Sequence, residues 1–170
     1  MRLFIALSAP ENARQALEMT QRVLRRQGVR GRFTLPDDLH MTLTFLGDGK
    51  EPAPVIEVMR GIEPARTELV FDRLTMFGNI LVALFRSDDA AQGYVRALRK
   101  ALDEAGIGFD RKAFRPHITL CRDAAFPSSL KLEACGDPLR GVGIPTQQVH
   151  LMRTAPQGKT PRYSVIFTKE

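Results

Sequence analysis

The sequence predicts a mixed helix-and-strand domain folded as two pseudo-twofold lobes about a shared cleft, and three observations lead there. The chain has 170 residues, enough for one buried core and too few for two full-sized domains, so residues 1–170 are expected to form one domain. Its 44% apolar and 26% charged content is the balance of a soluble globular protein, with no apolar run long enough to span a bilayer. The chain also repeats itself: Leu3-Phe4-Ile5-Ala6-Leu7 aligns with Ile80-Leu81-Val82-Ala83-Leu84 at an offset of 77 residues. Two copies suit a paired arrangement better than a solenoid.

Residues 2–8 read as a buried strand. The run ends at Pro10 and Glu11, too soon for the apolar region of a secretory signal. Ser8 followed by Pro10 and Glu11 reads as a capping box that starts a helix. Ala13, Ala16, Leu17, Thr20, Val23, Leu24 and Gln27 keep helical spacing, and Gly28 supplies the stop. The second unit follows the same grammar. Ile80 to Phe85 is its strand, Ser87 its cap, Ala91, Tyr94, Val95, Leu98, Ala101, Leu102 and Ala105 its helical stripe, and Gly106 its stop. Between the units the spacing predicts a helix over 52–62 and a hairpin of 68–77 and 80–86 turning at Gly78-Asn79. Strands near 146–153 and 162–168 close the chain.

Each unit ends on a strand with the same word: His40-Met41-Thr42-Leu43 and His117-Ile118-Thr119-Leu120, again 77 residues apart. Alternation sends Met41, Leu43 and Phe45 inward, with Ile118 and Leu120 in the second copy, and presents each His beside a Thr on the opposite face. Chance produces such a repeat at a frequency on the order of one in ten thousand, and packing gives no reason to keep the outward His and Thr. Two imidazoles facing each other suit a reaction in which one proton is removed and another delivered, because each titrates near neutrality. Cleavage of a phosphodiester is such a reaction, and the Thr hydroxyls can donate hydrogen bonds to its non-bridging oxygens.

A metal centre is the competing reading and fits poorly. Neither motif has an Asp, Glu or Cys at ligand spacing, and a Thr hydroxyl is a weak zinc ligand. His150 lacks a Thr two positions on and reads as a surface or internally satisfied strand residue. Cys121 and Cys135 are the only cysteines; they offer no disulfide framework and read as reduced thiols in the cytosol. The net charge of +6 favours a polyanionic partner, nucleic acid first. Part of it, Arg14, Arg22, Arg25, Arg26, Arg30 and Arg32, clusters on and after the first helix and reads as a solvated face. Arg115 and Arg122 flank the second motif and can grip phosphate oxygens in pairs; Tyr163 is a candidate for stacking on a base.

With these motifs the sequence resembles the two-histidine (2H) phosphoesterases, and within them the RNA 2′,3′-cyclic phosphodiesterases, also called 2′-5′ RNA ligase-like proteins. The resemblance runs through the Arg2 to Leu7 strand, Pro36 to Gly47 around the first motif, Phe114-Arg115-Pro116-His117-Ile118-Thr119-Leu120 with Arg122, and the late strand at Tyr163. Two departures stand out: Phe33 lies where relatives often carry Trp, and Cys121 where Ala is common. The resemblance implies a bilobal α+β fold with an antiparallel sheet in each lobe, helices on the outer faces and the active site between. It also implies that His40 is the proton donor and His117 the proton acceptor, with no metal and no cofactor; the residues alone leave open which is which. The implied reaction opens a terminal 2′,3′-cyclic phosphate to a 2′-phosphate.

The expected partners are RNA ends, tRNA halves among them, or nucleotides carrying a 2′,3′-cyclic phosphate. The chain is expected to act in the cytoplasm, as a monomer and away from membranes. Three alternatives stay open: ATP-independent 2′-5′ RNA ligation at the same site, action on a small cyclic phosphate, and a non-catalytic basic RNA-binding module. Salt-dependent binding without turnover would mark the last.

Overall fold

A computed structural model of the chain describes residues 1–157 and 160–170. In chain order the elements are β1 (Arg2–Ser8), α1 (Glu11–Arg26), β2 (Arg30–Phe33), a 3₁₀ turn (Pro36–Asp38), β3 (His40–Asp48), α2 (Pro52–Arg60), β4 (Glu68–Phe77) and β5 (Ile80–Phe85). They continue with α3 (Asp89–Glu104), β6 (His117–Ala125), a second 3₁₀ turn (Glu133–Leu139), β7 (Gly143–Pro145), β8 (Val149–Gln157) and β9 (Thr160–Lys169). The strands form two sheets, a four-stranded one in the order β3-β1-β8-β9 and a five-stranded one in the order β2-β6-β5-β4-β7, with every recorded pairing antiparallel. The α+β, two-lobed fold expected from the resemblance is therefore present. No helix among the described residues is long and apolar enough to cross a membrane.

The repeat is visible as β1 beside β3 in one sheet and β5 beside β6 in the other. Each helix, however, covers the sheet of the opposite unit. α1 follows β1 but lies under β6, where Gln21 donates to the Leu120 carbonyl. α3 follows β5 but lies under β3, where Arg99 donates to Thr44 Oγ1. The apolar faces fill the core as their spacing predicts, with Ala13, Leu17 and Leu24 buried on α1 and Ala91, Tyr94, Val95, Leu98 and Leu102 on α3.

The turns follow residue chemistry. Gly78 takes φ +61° between β4 and β5, as a tight hairpin requires. Gly28 and Gly106 end their helices in the left-handed region at φ +95° and +71°. The two caps differ from expectation. Ser8 stays in β1, its backbone committed to pairing with His40, and Pro10 takes the N-cap without a side-chain hydrogen bond. Glu11 turns instead to Arg14 and Gln15. In the second unit Asp88 rather than Ser87 caps α3, its Oδ1 accepting the Ala91 N–H at 2.8 Å, since a carboxylate also complements the helix dipole.

Candidate active site

The two motifs open β3 and β6. His40 and Thr42 are half-buried on one face while Met41 is buried on the other; His117, Thr119 and Ile118 repeat the arrangement. Alternation then breaks at the same place in both strands. Ala6 pairs with Thr42 but Ile5 with Thr44, leaving Leu43 as the extra residue of a bulge. Val82 pairs with Thr119 but Leu81 with Cys121, leaving Leu120. Leu43 and Thr44 are consequently both buried, as are Leu120 and Cys121, and the next side chain is thrown onto the cleft face. On β3 that residue is Phe45, which is 50% exposed and 6.1 Å from the Phe4 ring. The inward Phe45 expected from simple alternation is thus corrected by the bulge. On β6 the same position holds the exposed Arg122.

Long side chains from the exchanged helices hold both bulges. Gln21 Nε2 donates to the Leu120 carbonyl at 3.1 Å and to the Thr34 carbonyl at 2.9 Å. Arg99 donates to Thr44 Oγ1 and the Lys112 carbonyl, each at 2.7 Å, and reaches the Leu43 carbonyl at 3.5 Å. These two residues are 78 apart, one more than the offset between the motifs, but a Gln and an Arg do not declare their equivalence, and sequence reasoning missed them. Gly31 at φ +151° lets β2 close on the β6 bulge, where a Cβ would stand 2.6 Å from the Arg122 carbonyl and 2.7 Å from Cys121 Sγ.

Both imidazoles are fixed in one tautomer. His40 Nδ1 lies 2.7 Å from the Asp38 carbonyl and His117 Nδ1 lies 2.6 Å from the Arg115 carbonyl. A carbonyl only accepts, so each Nδ1 carries its proton and Nε2 is the nitrogen free to exchange. His40 Nε2 also sits 3.1 Å from Thr42 Oγ1. Burial is the main influence on both rings and pushes both pKa values below the ordinary imidazole range. Arg122 pushes both further down, and His117 acts on His40 in the same sense. Strands β3 and β6 lie against each other, so the two rings stand on neighbouring strands with Arg122 close by.

Side chains from both lobes line the space around them. A cavity of about 70 Å³ is bounded by Thr42, Phe45 and Arg99 from one side and by Lys112, Arg115 and His117 from the other. A second, about 250 Å³, is lined by Phe33, Leu35, Asp38, Arg122 and Tyr163. Tyr163 meets His40 edge-on with ring centroids 4.8 Å apart. Arg32 pairs with Asp123 at 2.8 Å, whereas Arg122 makes no ion pair among the described residues. Arg115 lies over the Phe77 ring at 4.4 Å, and that ring meets His117 at 4.9 Å. His150 is apart from this group, its Nδ1 satisfied by Thr168 Oγ1 at 2.8 Å, as its isolation in the sequence suggested. No cluster of three or more His, Cys, Asp or Glu side chains arranged to hold a metal occurs among the described residues.

Known proteins share this construction. The pattern of the family described as LigT like Phosphoesterase matches residues 7–84. An RNA 2′,3′-cyclic phosphodiesterase of Thermus thermophilus is 31% identical, the match covering 98% of this chain and 88% of that protein. A second protein of that name, from Geobacillus stearothermophilus, is also 31% identical over 76% of this chain, which spans only 44% of its length. The crystal structure of TT0787 of Thermus thermophilus superposes with a TM-score of 0.77 at 27% identity, covering 99% of this chain and 97% of that one. With the paired histidine strands, the two sheets and a near full-length relative in agreement, the chain belongs to the LigT-like family of 2H phosphoesterases.

Proposed function

We propose that the chain hydrolyses the 2′,3′-cyclic phosphate at an RNA end to a 2′-phosphate, His40 supplying one proton and His117 removing another. The observation that carries this reading is the matched tethering of the two imidazoles, each Nδ1–H to a backbone carbonyl, on the neighbouring strands β3 and β6. Water attacks phosphorus and gives its proton to Nε2 of neutral His117. The P–O3′ bond breaks, and O3′ leaves with the proton from Nε2 of charged His40. Arg122 and the hydroxyls of Thr42 and Thr119 donate to the non-bridging oxygens, where charge concentrates. Arg115 adds positive potential at the rim. Tyr163 and Phe33 offer apolar walls to the terminal base. These steps use side chains alone, without metal or cofactor.

Several features support the reading in its finer parts. Relatives at this identity carry the name RNA 2′,3′-cyclic phosphodiesterase. One chain supplies both motifs, so a monomer suffices. Cys121 and Cys135 are both free and buried, which suits the reducing cytoplasm, where RNA ends such as tRNA halves are the substrates.

Incubation in chelator with an oligonucleotide ending in the cyclic phosphate tests this. The expected product is the 2′-phosphate, and His40→Ala and His117→Ala should each lose ~10²–10⁴-fold in rate. Wild-type turnover by both variants would sink the reading. Added 5′-hydroxyl RNA should leave the product length unchanged; a longer RNA would instead mark ligation.

A further inference from the structure

The two histidines are held alike, but the residues that hold them carry opposite charge. Each imidazole donates Nδ1–H to the carbonyl of the residue two positions upstream, Asp38 for His40 and Arg115 for His117. Asp38 is only 3% exposed. Its Oδ2 lies 3.0 Å from Arg162 Nε on β9, and its Oδ1 is buried with no hydrogen-bond partner. A buried, half-satisfied carboxylate is costly to stability, and its presence at this position asks for a role beyond folding. Arg115 is exposed and stacked on Phe77, the ring that touches His117.

We propose that Asp38 and Arg115 are positioning residues that set the polarity of the histidine pair. The Asp38 carboxylate makes His40 the imidazole that holds the proton, and the Arg115 guanidinium keeps His117 neutral. The inference rests on the two-histidine hydrolysis proposed above and explains which ring is the acid.

The groups that face His40 are Asp38 from the 3₁₀ turn, Arg122 and His117 from β6, Thr42 on its own strand, Phe4 on β1, and Tyr163 with Arg162 on β9. Of these only Asp38 is an anion, and its charge raises the affinity of His40 for a proton against the pull of burial. Facing His117 are Arg115, Arg122, His40 and Phe77, and, across the small cavity that it lines, Arg99, Lys112 and Asp110. Asp110 is the one anion there and shares that cavity with three cations, while Arg115 and Arg122 both lower the proton affinity of His117. A bound phosphate is an anion shared by both rings, so it raises both affinities and leaves the local difference to decide which ring becomes charged.

Two measurements test the polarity. The first replaces the leaving O3′ of the cyclic phosphate by sulfur, because a thiolate departs without needing a proton. On that substrate His40→Ala should recover to within roughly tenfold of wild type, and His117→Ala should keep its ~10²–10⁴-fold loss. The second is the pH–rate profile on the ordinary oligonucleotide. Asp38→Asn removes the anion, so His40 loses its proton sooner and the high-pH limb moves to lower pH. Arg115→Gln removes a cation, so His117 holds a proton longer and the low-pH limb moves to higher pH. If Asp38→Asn fails to fold, Arg162→Met, which removes the cation paired with Asp38 and leaves its negative charge less offset, should move the high-pH limb to higher pH.

Rescue of His117→Ala instead of His40→Ala would overturn the polarity while leaving hydrolysis intact. So would an Asp38→Asn profile that is lower throughout with neither limb moved, the mark of a merely structural role. A wild-type protein that does not turn over the cyclic end at all would be a failure of the underlying reading instead.

Discussion

After its bulge β3 presents Phe45, and β6 presents Arg122, although the two strands share His-x-Thr-Leu, the bulge itself and a long side chain crossing from the exchanged helix to hold it. The shared parts are those that fix geometry: where each imidazole stands and which nitrogen it offers. The parts that differ change the local charge, with Asp38 and the uncharged Phe45 on the first motif and Arg115 and Arg122 on the second. On the mechanism proposed above, the repeated word gives two equal arms, and the residues flanking each motif would make one arm acid-holding and the other phosphate-holding. Separating those two layers experimentally is straightforward, because each has its own readout.

The largest expected effect falls on the shared layer. Removing either imidazole should cost ~10²–10⁴-fold in kcat/KM on the cyclic-phosphate end, with similar penalties for His40→Ala and His117→Ala measured under initial-rate conditions. Next comes the first charged difference. Arg122→Met should lower kcat/KM by roughly 10–10²-fold, the loss of one charge-assisted contact of about 1.5–3 kcal/mol. Phe45→Met, at the matching position of β3, should stay within about threefold of wild type by the same assay, since an apolar side chain offers phosphate no hydrogen bond.

Smaller effects report on the clamps. Gln21→Met leaves the Leu120 and Thr34 carbonyls without their donor, and Arg99→Met does the same at the first motif. Each should lower unfolding stability by about 1–3 kcal/mol in a denaturant titration. The paired geometry further predicts that Gln21→Met slows turnover by disturbing Arg122, while Arg99→Met acts through Thr42 and Thr44. The smallest effect is on pH dependence. Burial lowers both imidazoles in the free protein, so the kcat/KM optimum should lie on the acid side of the ordinary imidazole range, falling as pH rises and the proton on the acid is lost. The kcat profile should lie at higher pH, because bound phosphate raises both rings.

The sequence made part of this plain. Two copies of one four-residue word at a fixed offset point to the centre of the candidate site, and helical spacing with glycine stops marks the elements around it. Strict alternation past Leu43 turns Phe45 inward, whereas the bulge turns it outward, and a bulge between buried residues leaves no glycine or proline to announce it. The exchange of helices between lobes was illegible because self-similarity describes each unit separately and is silent on which sheet a helix covers. Gln21 and Arg99 were hidden because the requirement at their positions is a donor of sufficient reach, which different residue types satisfy. Asp38 was inconspicuous as one of two adjacent acids, Asp37 and Asp38; its burial against Arg162 exists only in three dimensions.

Nitrogen-15 NMR of the histidine rings, followed through pH with and without a 2′-phosphorylated nucleotide, tests the central claim most directly. The free protein should show His40 and His117 both as Nδ1–H tautomers near neutral pH, and both should shift to higher pKa when the nucleotide binds, because one phosphate sits between them. An Nε2–H tautomer at either ring, or a response from only one of them, would contradict two imidazoles acting on a single phosphorus.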